Sequence, residues 1–153
     1  MSKTPDKFLD LAITTAVEGH AGQFDKGGNP YILHCLAVMS MVESTESEVR
    51  QIAVMHDLIE DNKQFTYAKL RELGFSERVI EGIRAMTKIP GESYEEYLAR
   101  VAANRDTVLV KLADLTHNTD IRRLKGATEK DIQRTAKYYT AFLHLRAIKE
   151  DWK

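Results

Sequence analysis

The sequence predicts an all-α fold, a single compact bundle of about seven or eight helices. Apolar residues recur at three- and four-residue spacing almost throughout. Ser, Thr or Pro stands where these stretches open, and Gly where several of them close. Only TVLVKLA has the composition of a strand, and no second candidate exists to pair with it, so it reads as helix. A chain of 153 residues is long enough to bury roughly two-thirds of its unfolded surface around one core.

In chain order, Thr4-Pro5 opens a first helix that lines up Phe8, Leu11, Ala12, Thr15 and Ala16 on one face. It ends before GQFDKGGNPY, whose three glycines and proline require a loop. A second helix, over about 32–42, is expected to turn Leu33, Leu36, Ala37 and Met41 inward. A third starts near Ser47 with Val49, Ile52, Ala53 and Met55 buried, and is expected to run on through MHDLIEDN. FTYAKLRELG is a short helix capped by Thr66 and stopped by Gly74. SERVIEGIRAMTK opens at Ser76, and Ser93 with Glu96 has capping-box spacing ahead of YEEYLARVAAN. RDTVLVKLADLTHNTDIRRL reads as one long helix closed by Gly126, and Thr128 with Asp131 starts a final helix running nearly to the C-terminus. No repeat, linker or low-complexity segment divides the chain, which is expected to be one domain over 1–153.

Composition excludes several function classes. A net charge of −1 and a pI near 6.5 give no basic field for nucleic acid or an anionic membrane. The single cysteine rules out an internal disulfide and suits a reducing compartment. The N-terminus has no signal-peptide apolar core, and no apolar run approaches the roughly 20 residues a membrane span needs. The expectation is a cytoplasmic enzyme-sized domain with a small-molecule partner; a homo-oligomer stays open.

MHDLIEDN packs His56, Asp57, Glu60 and Asp61 into six positions of an otherwise apolar stretch. In a continuous helix His56 stands over Glu60, and Asp57 over Asp61. Acids at a helix C-terminus oppose the macrodipole, and burying such groups without a partner destabilises strongly. A divalent cation would resolve both conflicts; a solvated helix end is the structural alternative. PYILHCLAV places His34 in an apolar helix, where a core histidine is the usual reading. VKLADLTHN places Asp114 in another, with Asn118 one turn later on the same face. Together His34, His56, Asp57 and Asp114 form a two-nitrogen, two-carboxylate set suited to Mn2+, Fe2+ or Zn2+, with coordination positions left for water and substrate.

The adjacent His-Asp pair, the earlier His and the later Asp resemble the HD-domain metal-dependent phosphohydrolases. AVEGHAGQFDKGGNPYILHCLAV, AVMHDLIEDN and VKLADLTHN are similar to the hydrolase domain of the RelA/SpoT enzymes and to single-domain small alarmone hydrolases. The likeness runs over about residues 9–124. It implies an HD-domain helical bundle that binds one Mn2+ through His34, His56, Asp57 and Asp114. It implies that Glu60 and Asp61 act on the attacking water, that Lys26 meets the substrate and that Asn118 helps hold the nucleoside. The implied reaction removes pyrophosphate from the 3′ position of (p)ppGpp, and with no synthetase domain following, the chain is not expected to make the alarmone. Two positions depart from the guanosine-specific pattern: Asp25 stands where an Arg is usual, and Ile121 where a Thr is. They leave open another phosphorylated substrate, such as a nucleoside monophosphate or a nicotinamide dinucleotide phosphate. A non-catalytic nucleotide- or metal-binding regulator is the remaining alternative.

Other residues are assigned no catalytic role. His117 is read as packing or as support behind the ligands, and His20 and His144 receive no assignment. Cys35 is read as a small buried hydrophobe. Arg122, Arg123 and Lys125 suit either phosphates or a helix C-terminus, and Tyr138 and Tyr139 suit packing or a subunit contact.

Overall fold

The computed structural model describes residues 3–152. Among the described residues nine α-helical segments follow one another: α1 (Lys7–Gly19), α2 (Ile32–Met41), α3 (Ser47–Met55), α4 (Leu58–Asp61), α5 (Tyr67–Glu72), α6 (Glu77–Met86), α7 (Tyr94–Ala102), α8 (Arg105–Asn118) and α9 (Glu129–Glu150). A 3₁₀ turn, Ile121–Arg123, bridges the last two. Among the described residues the extended backbone amounts to one isolated bridge between Phe24 and Pro30, inside the glycine-rich loop. No helix of the described residues is long and apolar enough to cross a membrane.

Helix α3 is the axis of the bundle and packs against α1, α2, α6 and α8. Being enclosed, it has little polar face: Val49 and Gln51 to Met55 are all buried. Helix α6 approaches closely because Gly82 faces Ile52; a Cβ there would collide with the Ile52 side chain. Gly82→Ala would therefore overpack the core, a change that typically costs about 1–3 kcal/mol.

The expected caps are present. Thr66, Ser76 and Ser93 each accept a backbone N–H from the first turn of α5, α6 and α7. Thr128 and Asp131 form a reciprocal capping box at α9. Asp6, one residue after Pro5, caps α1 by accepting the Leu9 N–H at 3.0 Å. TVLVKLA lies wholly within α8.

Three expectations need correction. Helix α2 is rotated relative to the sequence reading: His34, Cys35 and Val38 face the core, while Leu33 is 53% and Met41 40% exposed. The segment is apolar on every side, so periodicity could not select the face. The helix expected to run through MHDLIEDN is broken by a turn at His56-Asp57. There the His56 ring N–H donates to the Ala53 carbonyl at 2.7 Å, a carbonyl that a continuing helix would use for its own N–H ladder. Glu60 and Asp61 consequently lie on a separate single-turn helix, Leu58–Asp61, too short to carry the macrodipole inferred for a continuous helix. Finally, α8 ends at Asn118, well before Gly126, because Asp120 accepts the Arg122 N–H and caps the separate 3₁₀ turn.

Candidate metal centre

Three elements deliver four side chains to one buried point. His34 comes from the first turn of α2, His56 and Asp57 from the break after α3, and Asp114 from the last turns of α8. His34 Nε2 lies 3.0 Å from Asp114 Oδ1 and 3.6 Å from Asp57 Oδ2. His56 Nε2 lies 3.0 Å from Asp57 Oδ2 and 3.4 Å from Asp114 Oδ1. The donor atoms of His34, His56 and Asp57 all fall within 4.8 Å of one another; Asp114 is not in that mutual group and joins it through its contacts to His34 and His56.

The far sides of these residues are occupied. His56 Nδ1–H is committed to the Ala53 carbonyl. His34 Nδ1 and His117 Nδ1 are 2.7 Å apart, so one of the two donates. Burial first, then Arg123 and His34, push the His117 pKa down to about 4, which keeps it neutral and able to accept. A neutral His56 carries its proton on Nδ1 and aims the Nε2 lone pair inward, and His34 does the same when His117 is the acceptor of their contact. Neither Nε2 has a hydrogen-bond partner despite complete burial, and orphaned polar atoms of this kind are rare in a folded interior.

The carboxylates are braced too. Tyr31 Oη donates to Asp57 Oδ2 at 2.7 Å; burial and the Asp57 charge raise its pKa far above the ordinary phenol range, so it remains a donor. Lys111 Nζ donates to Asp114 Oδ2 at 2.8 Å, and Asn118 Nδ2 to Asp114 Oδ1 at 2.8 Å. Burial opposes the charge on Lys111, but Asp114 beside it holds the ammonium well above the usual lysine range. Burial likewise opposes charge on His56, yet Asp57 and Asp114 raise its proton affinity well above that of a free imidazole. The two acids thus draw positive charge to His56 Nε2. A divalent cation meets that demand with inward lone pairs and oxygens of the right type, so the donor set fits such an ion.

Glu60 and Asp61 are held by different partners. Glu60 Oε1 accepts the Lys88 N–H at 3.2 Å. Asp61 Oδ2 accepts Gln23 Nε2 at 2.9 Å, and burial raises its pKa above the usual carboxylate value.

A cavity of about 340 Å³ opens beside the centre, lined among others by Lys26, Tyr31, Asn118, Arg123, Arg134 and Tyr138. Tyr31 and Asn118 link it to Asp57 and Asp114. Its cations already face acids: Lys26 is 3.6 Å from Asp131 and Arg134 3.0 Å from the same oxygen. Asp25 Oδ1 accepts the Asn29 N–H at 2.9 Å, and Oδ2 is 3.6 Å from Arg123. Arg123 also donates to the His117 carbonyl and to Asn118 Oδ1, each at 3.1 Å. It therefore serves the helix end and the cavity at once. Arg122 points away to Asp120, and Ile121 is 64% exposed outside this cavity. Cys35 is buried, His144 exposed, and Tyr138 sits against the Tyr94 ring.

Sequence reasoning overlooked Tyr31 and Lys111. Each had a signal: Tyr31 is three residues before His34, and Lys111 is one helical turn before Asp114 in an apolar segment.

No protein-family model matches the chain. It is 32% identical over an alignment of 130 positions, gaps included, that covers 78% of its length, to the guanosine-3′,5′-bis(diphosphate) 3′-pyrophosphohydrolase of Haemophilus influenzae. It is 29% identical over an alignment of 160 positions, gaps included, that covers 93% of its length, to the bifunctional (p)ppGpp synthase/hydrolase SpoT of Escherichia coli. It spans only about a fifth of these relatives, 19% and 22% respectively. Among solved structures, a metazoan ortholog of SpoT, described as hydrolysing ppGpp, superposes with a TM-score of 0.76 at 20% identity, over 94% of this chain and 88% of the other. The sequence likeness over most of the chain and the shared helical architecture support a RelA/SpoT hydrolase-like HD domain.

Proposed function

We propose that the chain acts as one domain and is a divalent-metal-dependent phosphohydrolase of nucleotides. Mn2+ is the proposed ion, and a ppGpp-like alarmone that loses its 3′-pyrophosphate is the first substrate. The observation that carries this reading is the pair of buried, unpartnered Nε2 atoms of His34 and His56, facing Asp57 and Asp114 at 3.0–3.6 Å. The names of the relatives supply the substrate class.

His34, His56, Asp57 and Asp114 would hold the ion, and Tyr31, Lys111, Asn118 and His117 fix their orientation. When bound, a divalent ion supplies Lewis acidity toward a phosphoryl oxygen and brings the pKa of water toward neutrality. Asp61 takes the proton of the attacking water at its carboxylate, and Glu60 orients the nucleophile. Lys26, Arg123 and Arg134 offset phosphate charge in the cavity, where Asn118 meets the nucleoside. The water oxygen bonds to the phosphorus attached at O3′, the P–O3′ bond breaks, and the proton passes to O3′ as pyrophosphate leaves.

Two placements support a second substrate reading. Asp25 puts a carboxylate against Arg123 at the cavity, and Ile121 presents no hydrogen-bonding group and lies outside it. Both favour a phosphorylated nucleotide other than ppGpp on the same chemistry. Incubating the Mn2+-loaded protein with ppGpp, a nucleoside monophosphate and NADPH, and following pyrophosphate against orthophosphate release, separates these readings. Pyrophosphate with GDP from ppGpp is expected. Orthophosphate from another nucleotide selects the second substrate reading, and silence across the panel contradicts hydrolysis and leaves a binding protein.

A further inference from the structure

Asp61 is reached by a hydrogen-bonded chain that begins at the C-terminal end of α1. His20 caps that helix, and its ring is buried, with Nδ1 2.8 Å from Gln23 Oε1. Gln23 Nε2 then donates to Asp61 Oδ2 at 2.9 Å. The polarity of this chain is forced. An ionised carboxylate only accepts, so the amide nitrogen of Gln23 must face Asp61 and its oxygen must face His20. His20 must therefore carry its proton on Nδ1. Its buried Nε2 has no hydrogen-bond partner, so no second bond competes for the ring's orientation. The His20 ring also packs against Tyr31, centroids 5.3 Å apart, and Tyr31 braces Asp57. One end of α1 and the loop behind it thus support two acids of the candidate centre.

The consequence for Asp61 is asymmetric. Oδ2 is taken by Gln23, while Oδ1 has no hydrogen bond among the described residues, and the side chain is 23% exposed. A carboxylate fixed through one oxygen and open at the other is arranged to receive a proton at the open one. A loose aspartate on a four-residue helix would have to find that orientation at each turnover, a cost that pre-positioning removes.

We propose that His20 and Gln23 are positioning residues for the hydrolysis, acting through Asp61: the imidazole sets the amide, and the amide sets the carboxylate. This rests on the hydrolase reading above, with Asp61 as proton acceptor.

The test compares Gln23→Leu, His20→Leu, His20→Asn, Asp61→Asn and the Gln23→Leu/Asp61→Asn double variant, all loaded with Mn2+ and assayed on the best nucleotide substrate. Gln23→Leu and His20→Leu should lower kcat about 10- to 100-fold while KM and bound metal stay within about twofold of the parent. His20→Asn, whose side-chain N–H can replace Nδ1–H, should recover most of the His20→Leu loss. Adding Gln23→Leu to Asp61→Asn should cost nothing further, because the residue through which Gln23 acts is already disabled. Nitrogen-15 spectra of the metal-free parent should show His20 protonated on Nδ1, and Gln23→Leu should lose that preference. An additive double variant, an undiminished kcat in Gln23→Leu, or a His20 ring protonated on Nε2 would each overturn the proposal. A parent protein that binds Mn2+ but hydrolyses none of the nucleotides would instead overturn the hydrolase reading itself, and the spectra would still report whether the His20–Gln23–Asp61 chain exists.

Discussion

The candidate metal centre and the neighbouring cavity share Tyr31 and Asn118 yet are built on opposite principles. At the centre, four side chains from packed helices and a tight turn aim inward, and every outward atom of the two imidazoles is engaged, by Ala53 and by His117. In the cavity the charges sit on a loop, a 3₁₀ turn and the first turns of α9, and each cation is already turned toward an acid. The centre is preorganised, with its geometry set before any ligand arrives. The cavity must exchange internal ion pairs for ligand contacts, so its affinity is a difference between two sets of interactions. Under the proposed function, chemistry would be set by the core, and substrate choice by surface pairs that substitution can shift without touching the fold.

The contrast breaks most sharply at Asp57. Asp57→Ala should abolish metal binding and reduce kcat/KM at least about 1,000-fold, about 4 kcal/mol of transition-state stabilisation. Elemental analysis and steady-state kinetics on one preparation check both halves. Next in size is Lys111→Met. Removing one partner of a buried pair typically costs about 3–5 kcal/mol, so the metal-free protein should melt about 10 °C lower. The loss should shrink with Mn2+ present, since the ion compensates Asp114; calorimetry with and without metal decides it. Glu60→Gln should keep its metal and slow turnover about 100-fold. Loss of metal from that variant would place Glu60 among the ligands. The smallest effect belongs to the cavity. Asp25→Asn keeps an oxygen for the Asn29 N–H but releases Arg123 from its ion pair. KM for a polyphosphorylated nucleotide should fall about fivefold, about 1 kcal/mol, with kcat and metal content unchanged. If KM does not move, Asp25 does not limit substrate binding.

How much of this was legible in the sequence follows from range. Caps at Thr66, Ser76 and Thr128 are local hydrogen bonds between residues three apart, and they appear where the sequence placed them. The rotation of α2 was not legible, because its apolar residues surround the helix and its face is selected by packing against α3 and α8, distant in sequence. The break at His56 was hidden for a related reason: an imidazole that donates to a carbonyl three residues back leaves no mark in periodicity. His56, Asp57 and Asp114 stood out as types that an apolar helix does not carry without a partner, whereas His34 alone read as a core histidine and joined the set only beside them. Tyr31 and Lys111 were not, since a tyrosine or an aliphatic-stemmed lysine in such a segment also reads as packing. His117 was read as packing or support, and its 2.7 Å approach to His34 depends on the pairing of α2 with α8, which no local pattern encodes.

The central claim is that His34, His56, Asp57 and Asp114 converge on one ion. A crystal of the Mn2+-soaked protein, measured at a wavelength where manganese scatters anomalously, tests it most directly. The account predicts one strong anomalous peak per chain, within about 2.3 Å of His34 Nε2, His56 Nε2 and an oxygen of each aspartate. A peak bound elsewhere, or none at saturating Mn2+ with the four side chains in place, would contradict it.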